Sequence, residues 1–475
     1  MTDLAAAELP AVGKETPAPL PSPAPPPRRS NPLLEGPILP TLLRLATPNA
    51  VALTAGTCVV IAETSYIGRL GTEPLAAMAL VFPFVMLTMT MSGGAMGGGV
   101  ASAIARALGA DDQRRAAMLA SHALLNGLGF GLVFTIGMLA AGPYLLQQLG
   151  GRGRVLSDAG SYITIFFGGA CIPWLMNSLA AILRGTGNMR LPSAMILLAS
   201  IAQIVFGGIL GLGLGPIPQF GMPGVATGTL IAMSLAVVVM GWHIFSGRAR
   251  VRPILRGFKL HRGMFFDILS VGLISCFSPL QSVLTVAIMT HMLAPFGNDV
   301  LAGYGIGVRL EFMLITAAYA IGAASVPMVG MAIGAGLVRR ARRIAWTGGI
   351  TAFLLVGIIG TLIAASPDLW IHMFTDDPGV VQSGQSYLAI AGPLYGFMGL
   401  AMSIYFSSQG AAKMIGPVIA QTARLVFVAA GGAWLVAHDA KASSFFWLAG
   451  LSMVVLGVLC TLAVWLTRWG PREAA

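Results

Sequence analysis

The sequence predicts an all-α, polytopic membrane protein with twelve transmembrane helices in two pseudo-symmetric six-helix lobes. Three observations support this prediction. Of the 475 residues, 56% are hydrophobic and only 9% are charged, whereas soluble domains carry about a quarter charged residues. Long apolar runs recur at regular intervals, and the chain resembles itself at a shift of about 225 residues.

Each apolar run is long enough for a helix that crosses a bilayer, which needs about 20 residues. Placing the runs in order gives an even number of spans, so both ends of the chain lie on one side. The predicted helices cover residues 40–64, 72–104, 116–142, 158–183, 191–213, 222–246, 263–293, 299–332, 342–365, 382–408, 416–437 and 443–467.

The basic residues provide a test of this count. Of the 28 Lys and Arg residues, Arg309 and Arg424 lie inside predicted helices, and 22 fall in the tails and alternate loops. The loops on the other side hold only four: Arg69, Arg152, Arg154 and Lys441. The positive-inside rule then places both termini in the cytoplasm. This distribution accounts for the net charge of +11, and it predicts no nucleic-acid partner.

Two stretches outside the helices have a distinct composition. Residues 1–31 are rich in Pro and Ala and lack the apolar core of a signal peptide, which predicts a disordered cytoplasmic tail. The basic segment 248–262 is the predicted linker between an N-terminal lobe, 32–247, and a C-terminal lobe, 263–475. The four cysteines form no CxxC pair, so we predict neither a metal site nor a cofactor.

The internal repeat relates the two lobes. Three pairs of segments match in one order at one shift: 182–192 with 407–417, 70–76 with 296–302, and 108–115 with 333–340. Each half has six helices and starts on the same side, so the halves are parallel repeats about an axis along the membrane normal. Secondary transporters commonly have this arrangement, with their sites near the repeat interface.

The first predicted helix carries one carboxylate, Glu63, and is followed by a predicted turn bracketed by Gly68 and Gly71. An acid inside a membrane helix is costly and marks a functional site by default. The alternative is that Glu63, about 21 residues beyond Leu42, lies at the far interface and reaches into water. These residues alone leave both interpretations open.

Several short motifs resemble the multidrug and toxic compound extrusion (MATE) family of the multidrug/oligosaccharidyl-lipid/polysaccharide flippase superfamily. They are Glu63-x4-Gly-Arg-Leu-Gly71, Arg184-Gly-Thr-Gly-Asn188, Gly221-Met-Pro-Gly224, Ala294-Pro-Phe-Gly297 and Arg309-Leu-Glu311. Each motif is short, but together they extend the resemblance over residues 37–467. The family usually has an Asp where this chain has Glu63.

The resemblance implies a secondary active antiporter and not an enzyme. Such a protein exports amphipathic, cationic small compounds, as in multidrug efflux, while H⁺ or Na⁺ moves inward and the two lobes rock. We expect a monomer in a bacterial inner membrane, whose partners are the substrates, the coupling ion and the lipid bilayer. The alternative within the superfamily is a flippase for a lipid-linked saccharide, which would line its cavity with several basic residues.

The resemblance also implies a cation-coupling site around Glu63. The positions that surround the family's acid are Gln203, Gly207 and Thr229 in this chain, with Asn177 as a weaker candidate. Gly207 stands where one branch of the family has a second carboxylate. Its loss favours H⁺ over Na⁺, although ordinary interhelical hydrogen bonding also accounts for Gln203 and Thr229.

Three further charges belong to the C-terminal lobe alone. Arg309 and Glu311 lie inside the eighth predicted helix, two residues apart, so they do not face each other. We expect each to find a partner on another helix, with Arg424 as a candidate for Glu311. A second proton or substrate site and a structural ion network are both consistent with this pattern.

Flexible and aromatic residues of the N-terminal lobe are candidates for a substrate cavity, because such side chains suit promiscuous surfaces. The candidates are Phe82, Met86 and Trp174. Ordinary helix packing is the alternative explanation for the same residues.

Overall fold

The computed structural model describes residues 31–254 and 259–470. Within them, eleven helices are long and apolar enough to cross a membrane, and a bent pair of helices forms the twelfth span. The spans are α1 Ile38–Leu70, α2 Thr72–Gly109, α3 Gln113–Gln148, α4 Gly153–Gly168 with Cys171–Gly185, α5 Arg190–Leu212, α6 Gly221–Phe245, α7 Arg262–Phe296, α8 Asn298–Gly334, α9 Val338–Ala365, α10 Pro378–Gly410, α11 Ile415–Ala437 and α12 Ala442–Leu466. The predicted all-α membrane protein with twelve spans is thereby confirmed.

Two local predictions were wrong. The expected turn from Gly68 is helical, and α1 continues to Leu70. The next residue, Gly71, caps the helix with a φ of 128°, which strongly favours glycine. Glu63 therefore lies two turns inside the helix. The fourth span is not continuous but bends by 46° between Gly168 and Cys171, because adjacent glycines and a proline that lacks an amide proton, Pro173, weaken the helix there.

The repeat appears in the packing of equivalent glycines. Where Gly185 meets α2, an added Cβ would lie 2.9 Å from the carbonyl oxygen of Ala101. Where Gly410 meets α8, it would lie 2.7 Å from the carbonyl oxygen of Val326. Both pairs are related by the shift of about 225 residues seen in the sequence. The two lobes are therefore pseudo-symmetric in structure as well as in sequence.

The halves meet along the C-terminal parts of α2 and α8. A carboxylate of α7, Asp267, bridges the halves by pairing with Arg106 at 2.7 Å and with Arg115 at 2.9 Å. These contacts lie at the end that carries the loops predicted to be cytoplasmic. We call it the basic-loop end.

The described part of the linker docks against α3. The backbone amide of Ile254 donates to Ser121 Oγ at 2.8 Å, and that of His261 donates to His122 Nε2 at 3.1 Å. Residues 1–30 of the predicted tail and residues 255–258 of the linker lie outside the described residues.

We predict that Gly228→Ala destabilises the N-terminal lobe, because a Cβ at Gly228 would lie 2.5 Å from the backbone nitrogen of Gly207 where α5 crosses α6. Overpacking of this kind costs about 1–3 kcal/mol. Thermal unfolding of the purified protein should show a lower midpoint. Gly241→Ala is the matched control on α6, since nothing lies within 4 Å of its added Cβ. An equal midpoint for both variants would contradict the prediction.

Candidate functional site

Glu63 is buried inside the N-terminal lobe. Its side chain is held between α1, α5 and α6, and only 7% of the residue is exposed. Gln203 Nε2 donates to Glu63 Oε1 at 2.7 Å, and the Thr229 hydroxyl lies 3.5 Å from the same oxygen. The alternative in which Glu63 reaches interfacial water is wrong for this structure.

The structure therefore brings together three of the four residues expected at the coupling site. Asn177 is not among them, because it lies on α4 and donates to Ser92 Oγ at 2.8 Å. That hydrogen bond ties α4 to a π-helical segment of α2, Thr90–Met96. Asn177 thus joins α4 to α2 within the N-terminal lobe and does not belong to the surroundings of Glu63.

Tyr66 is a member of the Glu63 site that the sequence analysis missed. It lies one turn after Glu63 on α1, is 7% exposed, and its hydroxyl has no hydrogen-bond partner among the described residues. A Cβ added at Gly207 would lie 2.6 Å from that hydroxyl. Tyr66 therefore occupies the space beside Gly207, the position at which one branch of the family has a second carboxylate. Its i, i+3 spacing from Glu63 is the signal that could have identified it.

Aromatic side chains close the site against water. Tyr162 of α4 is 1% exposed and packs in the same apolar cluster as Tyr66. Phe166 stacks on Tyr162 with ring centroids 5.9 Å apart and is fully buried. Burial of this kind disfavours the ionised form of a carboxylic acid. The hydrogen bond that Gln203 donates to Glu63 favours that form, so the carboxyl group is suited to exchange a proton.

Of the three charged candidates in the C-terminal lobe, Glu311 and Arg424 lie close to each other and Arg309 lies apart. Glu311 Oε1 and Arg424 Nη2 lie 3.9 Å apart, and both residues are buried. Arg424 Nε also donates to Ser452 Oγ at 3.2 Å. Arg309 is not part of this group, because it is exposed and its guanidinium lies 5.3 Å from the centroid of the Phe374 ring.

We predict that Arg424→Met lowers the thermal midpoint more than the double replacement Glu311→Gln with Arg424→Met. Removing one partner of a buried ion pair costs about 3–5 kcal/mol, because a charge is left uncompensated, whereas removing both is often nearly neutral. The measurement is thermal unfolding of the two variants in detergent. A double variant that is as unstable as Arg424→Met would contradict this account.

The three residues expected at a substrate cavity have different environments. Trp174 does not line one, since it is 2% exposed and packs between Phe130 and Phe134 at centroid distances of 5.2 and 5.3 Å. Its role in this structure is packing within the N-terminal lobe. Phe82 is half-buried and Met86 is exposed on α2, so their role as cavity residues stays a prediction.

One further basic side chain, that of Arg184, lies in a narrow crevice between the halves. The crevice is lined by α2, α4, α8 and α10, and the guanidinium of Arg184 reaches into it. Arg184 Nη2 is buried and has no hydrogen-bond partner among the described residues. This residue appeared in the sequence only as part of a family-like motif. Its charge was counted there among the 22 basic residues of the predicted cytoplasmic tails and loops, whereas the side chain lies in this crevice.

Comparison with known proteins identifies related chains along most of the sequence. The model of the MatE family matches residues 48–209 and 275–434. The FAD transporter of Shewanella oneidensis is 25% identical over 401 residues, which cover 83% of this chain and 87% of that protein. The probable multidrug resistance protein NorM of Thermotoga maritima is 22% identical over 80% of this chain and 81% of its own length. A crystal structure of MATE in complex with MaD3S has a TM-score of 0.83 and 26% identity, covering 91% of this chain and 96% of that one.

Proposed function

Because the chain belongs to the MatE family of multi-pass membrane transporters, we propose that it is a secondary antiporter of a bacterial inner membrane. It exports amphipathic small compounds in exchange for an inward-moving cation. Rocking of the two lobes exposes the central region to each side in turn. The observation that carries the proposal is the buried Glu63 carboxyl group, held by Gln203 and Thr229 inside one lobe.

The coupling ion that this site supports best is H⁺. At Glu63 Oε1, Gln203 presents an amide N–H, and the Thr229 hydroxyl donates to the Val225 carbonyl at 3.1 Å. The Gln203 amide thus presents a donor and not an oxygen at this position, which leaves the Thr229 hydroxyl oxygen as the one neutral ligand beside Glu63. Gly207 supplies no second carboxylate. A single acid that alternately binds and releases a proton accounts for these features with fewer groups than a sodium site requires.

Two substrate classes are candidates: cationic compounds and compounds that carry an anionic group. The resemblance to the family favours cationic compounds, and relatives named as multidrug resistance and multidrug export proteins support broad efflux. One relative is named a FAD transporter, and FAD joins aromatic rings to an anionic diphosphate. The unpaired Arg184 between the halves favours this second candidate, a substrate with an anionic group.

Inverted membrane vesicles that contain the protein test the antiport. We would impose a proton gradient or a sodium gradient and follow its release when ethidium or riboflavin 5′-phosphate is added. The proposal predicts that a substrate dissipates the proton gradient and leaves the sodium gradient unchanged. A response of the sodium gradient alone would contradict H⁺ coupling. No response of either gradient to either compound would favour the flippase alternative.

A further inference from the structure

The crevice between the halves has one polar wall and one aromatic wall. On the polar side, Arg184 of α4 and Gln409 of α10 flank the glycine-rich part of α2. On the other side, Tyr319 and Phe406 meet edge to face with ring centroids 4.7 Å apart. The crevice has a volume of about 20 Å³ in this conformation. Because its walls come from both lobes, its volume grows when the lobes separate.

Arg184 carries a charge that nothing in the described residues neutralises. Its Nη2 atom is buried and has no hydrogen-bond partner there. Gly97 allows the approach, since its added Cβ would lie 3.3 Å from Arg184 Nη2. Arg184 as a whole is half-buried, but its Nη2 is buried, and a cation that is partly removed from water without an anion nearby is unfavourable. The site is therefore built for an occupant with negative charge.

Gln409 makes the polar wall rigid. Its Nε2 donates to the carbonyl oxygens of Gly94 and Ala95, at 3.2 Å each, and to Ser275 Oγ at 3.1 Å. The two carbonyls belong to the π-helical segment Thr90–Met96, and such segments are frequent at functional sites. Gln409 Oε1 is fully buried and has no partner among the described residues.

The crevice lies at the interface between the two repeats. Arg184 is the penultimate residue of the fourth span, and its guanidinium reaches Gly97 of α2, twelve residues before that helix ends. Substrate sites of transporters with two repeats lie at the repeat interface.

We propose that Arg184 binds the anionic group, a phosphate or carboxylate, of an aromatic substrate whose rings pack against Tyr319 and Phe406. The fork of the guanidinium suits both oxyanions. The identification of the ligand as a transported substrate rests on the proposed function, whereas its binding does not. A substrate with an additional cationic group also satisfies the site, since the anionic group is what Arg184 recognises.

Flavin binding to the full-length protein in detergent tests the proposal. The probes are riboflavin 5′-phosphate and riboflavin, which differ only in the phosphate, and the readout is the change in flavin fluorescence on titration. We expect the wild type to bind the phosphate at least tenfold more tightly. Arg184→Gln should reduce this preference to near one without changing the affinity for riboflavin. Arg190→Gln, which removes an exposed cation at the start of α5, should keep the full preference.

Two outcomes overturn the proposal: equal affinity of the wild type for both flavins, or a phosphate preference that survives in Arg184→Gln. If Arg184→Gln does not fold, Arg184→Lys decides. Loss of the guanidinium fork should lower its preference several-fold, and an unchanged preference rejects the site. The assay contains no ion gradient. If the preference for riboflavin 5′-phosphate depends on Arg184 but the vesicle assay shows no dissipation of either gradient, this inference stands and the proposed antiport is rejected.

Discussion

Glu63→Gln is expected to abolish proton release from inverted vesicles when a substrate is added, with a decrease of at least about tenfold, since the proposed function makes this membrane-embedded acid the proton carrier. The amide has the shape of the carboxyl group, and its oxygen still accepts from Gln203 Nε2, which donates to Glu63 at 2.7 Å. It does not bind and release a proton. The fold, measured by thermal unfolding, should remain close to that of the wild type.

Glu73→Gln is the matched control for this prediction. Glu73 lies in the first turn of α2, half exposed and 3.5 Å from Arg154, so the same chemical change there removes only a surface charge. We expect wild-type proton release from this variant. If proton release survives in Glu63→Gln, the carrier is elsewhere. Glu311, the buried acid of the C-terminal lobe, would then be the next residue to replace.

The parts of this structure that could be predicted depend on long apolar runs and on the repeat. The number of spans follows from composition, because a helix must satisfy its backbone groups within the membrane. The residues around Glu63 followed from their place in a family-like pattern. Gln203 and Thr229 indeed lie next to Glu63, although their role in coupling stays a prediction.

The other parts depend on helix rotation, which one sequence does not determine. Tyr66 fills the space beside Gly207 only because α1 turns that face toward α5. Trp174 points into its own lobe, whereas Arg184, ten residues later, reaches the interface between the lobes. Arg309 and Glu311 diverge because residues two apart lie on different faces of a helix. Each case concerns the direction of a side chain and not the existence of the helix.

Two equivalent glycines allow close backbone contacts between the lobes at the basic-loop end. A Cβ at Gly109 of α2 would overlap the carbonyl oxygen of Met331, and one at Gly334 of α8 would overlap that of Arg106. The repeat relates the two glycines to each other and the two carbonyl groups to each other. The contacts are therefore reciprocal about the pseudo-two-fold axis. Backbone meets backbone at both, so a methyl group has no flexible side chain to displace.

We predict that Gly334→Ala strongly reduces transport by preventing this closure, and that Gly109→Ala has the same effect. The added methyl group would lie between the lobes and not inside one, and a small separation of the lobes relieves the overlap, so we expect the thermal midpoint to change much less than the transport rate. Distances between spin labels on the exposed residues Gln113 and Arg343, measured by electron spin resonance, should shift toward a longer population, since one label lies on each lobe at the basic-loop end.

Gly305→Ala is the control on the same span, because nothing lies within 4 Å of its added Cβ. It should transport and close like the wild type. If Gly334→Ala keeps both the transport rate and the label distances of the wild type, close packing of α2 on α8 is not required for the cycle. If transport is lost with unchanged distances, the methyl group acts on a step other than closure. If the label distances increase and transport is lost, close packing at this glycine pair is required for the alternation between open and closed states.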